Sequence, residues 1–272
     1  MNTPSPVRTA FNRAHNYDQQ ARIQARIAQQ LAHGFDLYRQ SLPVNPPSHL
    51  PLFGLELGCG TGFLSRLWLE RLPQTHLFLT DIAPAMVTRT RENLRAFPEA
   101  RKSFIVMDAE APSFRTPFDL IAASMVFQWF RHPATSITNL LDLLAPGGRL
   151  LFATLGPDTF KEWRTLCATT ELPCGLHRYP EKNFWLDLAA QHHIELELTE
   201  EHIEESFPSP MAFLQRLKAI GADTPIANHT PAPAGKLRRI LANPKGSPSL
   251  FPVTHHLYFG TFIKRPQPIH NT

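Results

Sequence analysis

The chain has 272 residues, of which 43% are hydrophobic and 18% are charged, and its formal net charge is +4. This composition allows a substantial buried core and excludes a wholly disordered chain. No run approaches the roughly 18 apolar residues of a membrane-spanning helix, and residues 1–18 lack the apolar stretch of a secretory signal. Cys59, Cys167 and Cys174 cannot all pair and lack metal-ligand spacing, which favours a reducing, cytoplasmic setting and predicts no metal.

Residues 52–155 alternate short apolar runs with segments in which apolar residues recur at helical spacing. Strands that are apolar almost throughout and alternate with helices form a parallel sheet with both faces covered. The predicted strands are residues 52–57, 76–80, 103–107, 118–124 and 149–155, and the predicted helices are residues 63–72, 84–97 and 137–144. The predicted fold class is therefore α/β.

The flanking segments complete this prediction. Residues 10–33 show helical spacing, and residues 41–51 form a proline-rich linker. Beyond the five strands, the pattern predicts helices near 158–170 and 210–220 and strands near 193–206 and 256–263, which gives a seven-stranded sheet. The predicted domains are an N-terminal helical cover and linker, residues 1–45, and a main domain, residues 46–272, with an irregular helical insertion at about 207–252.

Charge is distributed unevenly along the chain. Residues 195–205 carry six glutamates and no lysine or arginine, whereas residues 206–272 carry eight lysines and arginines against one acid. A basic region of this kind could meet nucleic acid, an anionic membrane surface or an acidic protein, or it could be a solvated face. Charge alone does not choose among these.

The most specific local motif is a glycine loop, LELGCGTG, at residues 55–62. Its glycines follow a predicted strand and open a helix, so the backbone can approach a ligand at the carboxyl edge of the sheet. The dinucleotide fingerprint fails because Phe63 stands at its last glycine position, and a Walker loop fails because no Gly-Lys-Ser/Thr follows. For the loop alone, a tight turn without a ligand is an alternative.

Two acids lie at the ends of the next two predicted strands. Asp81 follows the loop by about 20 residues, where a carboxylate can accept both hydroxyls of a ribose, and Asp108 is placed to meet an adenine edge. Either acid could instead cap a helix. Beside the glycine loop, two acids at consecutive strand ends are better explained by one adenosyl ligand.

In chain order, ELGCGTG, TDIAPAM, MDAE and LAPGG resemble the motifs of class I S-adenosylmethionine-dependent methyltransferases, whose fold is Rossmann-like with helices on both faces of the sheet. The resemblance implies S-adenosylmethionine as the methyl donor, with its methionine end at the glycine loop, its ribose at Asp81 and its adenine near Asp108. The implied cofactor-binding residues are Glu56, Gly58, Cys59, Gly60, Asp81, Ile82, Met86, Asp108, Ala109 and Ser124.

Rarer motifs flank the cofactor segment. They are similar to those of the malonyl-acyl-carrier-protein O-methyltransferases of biotin synthesis, over roughly residues 8–264. The similarity implies methyl transfer to the free carboxylate of a malonyl thioester on an acidic acyl carrier protein, and neither nucleic acid nor membrane as a partner. The resulting ester would prime pimeloyl synthesis. The motifs are FNRAHNYD at 11–18, FQW at 127–129, LFATLGPDT at 151–159, LKAIGA at 217–222 and YFG at 258–260.

The acceptor side of the site follows from this chemistry. A carboxyl group with a pKa of roughly 4 is ionised at neutral pH, so the transfer needs no general base. A partly dry, aromatic-walled site would favour the reaction, because an anion and a cation neutralise each other. Phe127 and Trp129 could equally be ordinary core. The predicted catalytic residues are Tyr17, Gln128 and Trp129, and the predicted substrate-binding residues are Arg13, Phe127 and Arg164.

Two expectations concern the surface around the acceptor. If residues 13–24 form one continuous helix, Arg13, Tyr17, Gln20 and Gln24 share one face, which would place polar groups at the mouth of the cleft. An acidic carrier protein should dock on a basic surface, although each basic cluster could simply be solvated. The candidate docking residues are Arg13, Arg22, Arg26, Lys161, Arg164, Lys236, Arg238 and Arg239.

Three other functions stay open at this point. One is a methyltransferase with the same cofactor site and a different small-molecule acceptor, since fold does not settle substrate. Another is a protein that keeps S-adenosylmethionine as a structural ligand and scaffolds a complex. The third is a nucleic-acid methyltransferase, which is weakened because the fourth strand ends in Ser-Met-Val-Phe instead of an Asn/Asp-Pro-Pro-Tyr-like site.

Overall fold

The computed structural model describes residues 5–14, 17–42, 52–226, 229–233, 235, 237, 241 and 250–266. The strands in this part of the chain are β1 (Phe53–Leu57), β2 (His76–Asp81), β3 (Lys102–Val106), β4 (Phe118–Ser124), β5 (Leu144–Leu155), β6 (Glu195–Phe207) and β7 (Phe251–Ile263). The α-helices are α1 (Pro6–Asn12), α2 (Tyr17–Gln20), α3 (Arg22–Leu31), α4 (His33–Ser41), α5 (Phe63–Arg71), α6 (Pro84–Asn93), α7 (Pro133–Asp142), α8 (Lys161–Thr170), α9 (Lys182–Gln191) and α10 (Pro210–Ala219). None of these helices combines the length and apolarity that a bilayer crossing demands.

The strands form one sheet in the order β3-β2-β1-β4-β5-β7-β6. The pairs β1–β2, β1–β4, β2–β3 and β4–β5 are parallel. β7 runs antiparallel to β5, since the Lys264 N–H donates to the Gly148 carbonyl whereas the Gly156 N–H donates to the His256 carbonyl. The prediction of an α/β fold with a mainly parallel seven-stranded sheet is confirmed. The strand order reverses between β1 and β4, which is where open α/β sheets bind ligands.

Some predicted boundaries are wrong. β5 begins at Leu144 because Phe118 pairs with Leu144 before a register irregularity, so the Pro-Gly-Gly turn at 146–148 lies inside a bulged strand. The sequence analysis also assigned no helix to α4 or α9. Trp185, Leu188 and Ala189 of α9 are buried at i, i+3 and i+4, a spacing that was available to predict it.

Contacts group the chain into two compact units. The sheet unit comprises residues 21–154, 182–199 and 259–272, and the second unit comprises residues 1–20, 155–181 and 200–258. The sheet unit holds β1 to β4, nearly all of β5 and parts of β6 and β7. The predicted domain boundary near residue 45 lies outside the described residues and stays a prediction.

An aromatic cluster forms part of the core of the sheet unit. The ring of Phe152 on β5 stacks 4.6 Å from Trp185 of α9 and 5.5 Å from Phe262 of β7, measured between centroids. Gly260 makes room for this cluster, because a Cβ at that position would lie 2.3 Å from the Phe152 ring. The glycine of the YFG motif is therefore explained by packing.

In the second unit, the N-terminal segment is not one helix. α1 ends at Asn12, and the chain leaves helical geometry again at Ala21, between α2 and α3. The Gln20 carbonyl at the end of α2 accepts a hydrogen bond of 2.6 Å from the guanidinium of Arg216 on α10. The predicted shared face of Arg13, Tyr17, Gln20 and Gln24 is therefore wrong, because an arginine far along the chain takes the place of the next helical turn.

Gly54 of β1 provides a test of how tightly the sheet unit is packed. A Cβ at Gly54 would lie 2.5 Å from Trp68 Cζ2 and 2.9 Å from Thr75 Cγ2, both on buried residues. We expect Gly54→Ala to destabilise the fold by about 1–3 kcal/mol through overpacking, measured as a lower midpoint of urea unfolding. Gly235→Ala is the control, since a Cβ at Gly235 meets nothing within 4 Å. Equal midpoints for the two variants would contradict the packing described here.

Candidate functional site

The glycine loop lies between the end of β1 and the start of α5. Gly58, Gly60 and Gly62 all have positive φ, at 62°, 56° and 95°, a conformation that side chains with a Cβ rarely adopt. A Cβ at Gly58 would lie 2.5 Å from Val126 Cγ2, whereas a Cβ at Gly60 would have only the Gly58 carbonyl oxygen nearby, at 4.0 Å. The backbone at Gly60 therefore borders open space, which a ligand can approach closely.

Side chains of α6 and the end of β2 hold this loop in place. The Thr90 hydroxyl donates to the Gly60 carbonyl at 2.7 Å, and the Asn93 amide donates to the Thr61 carbonyl at 2.8 Å. The Cys59 N–H donates to the Thr80 carbonyl at 2.8 Å. Sequence analysis missed Thr90 and Asn93, although their i, i+3 spacing on a helix indicates a shared face. The loop is thus rigidly positioned by contacts within the sheet unit.

Asp81 meets the glycine loop directly. Its Oδ2 accepts a hydrogen bond of 3.0 Å from the Gly60 N–H, and its Oδ1 accepts one of 2.8 Å from the Ala83 N–H. Burial raises the pKa of Asp81 to about 6, against these two hydrogen bonds, which favour the ionised form. A carboxylate has about four acceptor positions, so Asp81 keeps acceptor capacity for further donors such as vicinal hydroxyls.

Glu56 places a second carboxyl group beside Asp81. Its side chain is buried on β1, and its Oε2 has no hydrogen-bond partner among the described residues. The pKa of Glu56 is raised to about 8, chiefly by burial and also by the nearby charge of Asp81, with hydrogen bonding to Ser65 acting in the opposite direction. A buried carboxyl group without a partner is costly. A cationic ligand group next to it would remove that cost.

The residues predicted around the adenine follow the ends of β2 and β3. The Met107 N–H donates to the Asp81 carbonyl at 2.9 Å, which brings these two strand ends together. Asp108 and Ala109 are half-buried, and Asp108 Oδ1 accepts a hydrogen bond of 3.0 Å from the Glu110 N–H. Ile82 is half-buried, whereas Met86 is fully buried.

Glu110 is a further residue that sequence analysis did not single out. Its Oε1 accepts hydrogen bonds from the backbone N–H groups of Arg131, at 2.8 Å, and His132, at 3.0 Å. Because His132 occupies the N-cap position of α7, this carboxylate joins the segment after β3 to the start of α7. Glu110 thereby fixes the loop that carries Asp108 and Ala109.

The FQW motif forms a short 3-10 helix after β4, and its three side chains have different surroundings. Phe127 is buried in the aromatic cluster, 5.4 Å from the ring of Phe152. Gln128 donates from Nε2 to the Met125 carbonyl at 2.8 Å, and its Oε1 accepts a hydrogen bond of 3.3 Å from the Thr154 hydroxyl. Trp129 and Ser124 are half-buried. Phe127 thus lies in the core of the sheet unit, and its predicted role in substrate binding stays a prediction.

The remaining predicted residues belong to the second unit. Arg13 is exposed just beyond α1, and Tyr17 is half-buried at the start of α2. Arg164 of α8 is half-buried and donates from Nη2 to the His177 carbonyl at 2.7 Å. The predicted roles of Arg164 in substrate binding and docking stay predictions. Of the other predicted docking residues, Lys161 is exposed, and Lys236, Arg238 and Arg239 lie outside the described residues.

The amino-acid sequence of this chain is similar to those of known methyltransferases. A family model described as a methyltransferase domain matches residues 55–150. Malonyl-[acyl-carrier protein] O-methyltransferase of Magnetococcus marinus is 36% identical, and the match covers 96% of this chain and 93% of that protein. The biotin biosynthesis bifunctional protein BioCD of Bordetella avium is 35% identical over 84% of this chain and 46% of that protein.

A solved structure shows the same fold. The plantazolicin methyltransferase BpumL, crystallised with a triazolic desmethylPZN analogue and SAH, matches with a TM-score of 0.50. The match covers 95% of this chain and 97% of that one at 14% sequence identity. At this identity the likeness concerns the fold alone.

The raised pKa of Glu56 predicts a pH-dependent cost of folding. Between pH 4.5 and about 8, the unfolded chain releases a proton that folded Glu56 retains, so this group lowers stability as the pH rises through that window. Glu56→Gln removes the effect. We expect the free energy of unfolding of Glu56→Gln, measured relative to the parent by urea unfolding, to be higher at about pH 8.5 than at about pH 4. The exposed Glu195→Gln should show no such gain; a gain that does not change with pH would contradict the assignment.

Proposed function

Since the chain belongs to the malonyl-[acyl-carrier protein] O-methyltransferase family, we propose that it transfers a methyl group from S-adenosylmethionine to the free carboxylate of a malonyl thioester on acyl carrier protein. The methyl ester hides the charge of that carboxylate and primes pimeloyl synthesis for biotin. One observation carries the proposal: 36% identity holds over 96% of the chain, so it includes the flanks as well as the cofactor segment.

The residues of the sheet unit fit the cofactor. Gly60 offers a backbone that a ligand can approach, and the Glu56 carboxyl, whose Oε2 has no hydrogen-bond partner among the described residues, suits a cationic group of the methionine end. Asp81 has acceptor capacity for the ribose hydroxyls, and Asp108 and Ala109 would line the adenine. Bound S-adenosylmethionine supplies an electrophilic methyl group on a sulfonium. SAH in a protein of the same fold supports this choice of cofactor.

The acceptor needs alignment more than it needs a base. Its carboxylate is already ionised at neutral pH, so proton removal contributes little, and in-line positioning supplies most of the rate enhancement. Gln128 is suited to positioning, because both ends of its amide are held by Met125 and Thr154. Trp129 would border the reacting methyl group. Tyr17, Arg13 and Arg164 stay candidates for acceptor contacts on the strength of the family resemblance. Phe127 supports this segment from the core.

The carrier protein is the proposed partner. Acyl carrier proteins are acidic, and a basic surface would accelerate their encounter with this chain. Lys161 is the exposed cation of α8 and is proposed as a docking contact, whereas Arg164 is held by the His177 carbonyl.

Asp81 tests the cofactor assignment. Hydrogen bonds to charged groups contribute about 1.5–3 kcal/mol each, so Asp81→Ala should weaken binding of S-adenosylhomocysteine at least tenfold, measured by calorimetry. Because Asp81 also holds Gly60, circular dichroism should first show that the variant is folded. Asp142→Ala, an exposed aspartate of α7, is the control. A folded Asp81→Ala protein with unchanged affinity would overturn the assignment.

The acceptor is tested with labelled S-adenosylmethionine and two substrates, malonyl-acyl-carrier protein and malonyl-coenzyme A. We expect methylation of the carrier-protein thioester, with a rate that falls more steeply with salt than the rate for coenzyme A, because the docking charges are screened. Lys161→Glu should raise KM for the carrier substrate alone, and Lys182→Glu, another exposed lysine that begins a helix, is the control.

Three outcomes would count against the proposal. Methylation of coenzyme A but never of the carrier protein would favour a different small-molecule acceptor. Cofactor binding without turnover of either thioester would favour a scaffold. Equal salt dependence, with Lys161→Glu indistinguishable from the parent, would show that this face is not the docking site.

A further inference from the structure

We propose that Asp158, His202 and His256 form a binding site for a divalent first-row transition-metal ion in the second unit. They come from three separate segments: the connection between β5 and α8, strand β6 and strand β7. One ligand atom from each residue lies within 4.8 Å of the other two. This site is independent of the cofactor site and does not rest on the proposed methyl transfer.

The distances approach those of a coordination shell. Asp158 Oδ2 lies 3.4 Å from His202 Nε2 and 3.8 Å from His256 Nδ1. Zinc bonds of about 2.0–2.1 Å in a tetrahedron separate neighbouring ligand atoms by about 3.3–3.4 Å. The Asp158 oxygen therefore lies within a few tenths of an ångström of the spacing that coordination requires from each histidine nitrogen.

A fourth residue orients the buried histidine. His256 is 2% exposed, and its Nε2 lies 3.0 Å from Glu200 Oε1. Nδ1 accepts a hydrogen bond of 3.3 Å from the Asp158 N–H, so the ring proton lies on Nε2, on the side of Glu200, and a metal ion at Nδ1 would replace that N–H. Metal-binding histidines almost always have such a carboxylate or carbonyl partner on their second nitrogen. This contact is a separate observation that points to a metal ligand.

Charge and access also suit a cation. Asp158 and Glu200 place two carboxylates around two imidazoles, so the cluster attracts positive charge. The side chains of Asp158 and His202 are 59% and 43% exposed, which gives an ion a path from solvent. Two imidazole nitrogens with one carboxylate oxygen suit zinc and its neighbours, whereas calcium and magnesium prefer oxygen ligands alone.

Two changes are required: the Asp158 N–H must release His256 Nδ1, and His202 must turn. The rings of His202 and His256 stack with centroids 4.3 Å apart and planes 28° apart, whereas a shared ion must lie near the plane of both rings. His202 must therefore turn out of the stack, which its exposure permits. His256 is held, because its ring packs against Gly156, where a Cβ would lie 2.7 Å away. The expectation of no metal arose from cysteine spacing and could not detect ligands far apart in the sequence.

The test uses the full chain without a polyhistidine tag. Calorimetric titration with zinc, cobalt and magnesium ions should show one zinc per chain, a visible absorption band for bound cobalt, and no magnesium binding. Zinc should also raise the midpoint of thermal unfolding, because it binds the folded state. His202→Ala and Asp158→Asn should each weaken zinc binding at least tenfold. His33→Ala, an exposed histidine at the start of α4, should bind zinc like the parent.

Two results would overturn the proposal. If the parent protein binds neither zinc nor cobalt, the cluster is a hydrogen-bonded network in which Asp158 contacts His202 through its carboxylate and His256 through its backbone N–H. If His202→Ala and Asp158→Asn bind zinc as tightly as the parent, the ion binds elsewhere. Both substituted side chains are exposed, and circular dichroism would separate loss of binding from loss of fold.

Discussion

The hydrogen bond from the Gly60 N–H to Asp81, 3.0 Å long, joins the loop after β1 to the carboxyl end of β2. The loop can reach Asp81 because three glycines adopt positive φ within five residues. Thr90 and Asn93 then hold the loop from α6, and the Met107 N–H extends the connection to the end of β3. The contacts of Thr90 and Asn93 depend on the loop being where Asp81 places it. The ligand-facing backbone is therefore organised before any ligand arrives, which lowers the entropy lost on binding.

This organisation buries two carboxyl groups side by side. Asp81 has two backbone donors, whereas Glu56 Oε2 has no partner among the described residues, and burial raises the pKa of both groups. Strongly shifted carboxyl groups at the edge of a sheet indicate a functional site more often than a structural one. A sulfonium and an amino group beside them would supply the missing positive charge. The two buried carboxyl groups thus destabilise the protein without its ligand, and they would strengthen the binding of a cationic ligand.

The cofactor side could be predicted from the sequence because its determinants are local. A loop of glycines between a strand and a helix and an acid at the end of the next strand fix their own geometry. The acceptor side depends on distant contacts. α2 ends at Gln20, where Arg216, 196 residues away, donates to the free carbonyl at the helix end. Phe127 and Gln128 are neighbours in one motif, yet the short helix turns Phe127 into the aromatic cluster and leaves Gln128 with Met125 and Thr154.

The residues of the flanking motifs, on which the family resemblance rests, are therefore needed for different physical reasons. Gly260 leaves room for the ring of Phe152, and Gly156 leaves room for the ring of His256, so both glycines are required by packing. Asp158, in the same motif as Gly156, lies beside His202 and His256. A match across such motifs is strong evidence of family because it tests core and site together. It is weaker evidence that any one motif residue is catalytic, since a residue that makes room for a ring and one that touches a substrate contribute equally to the match.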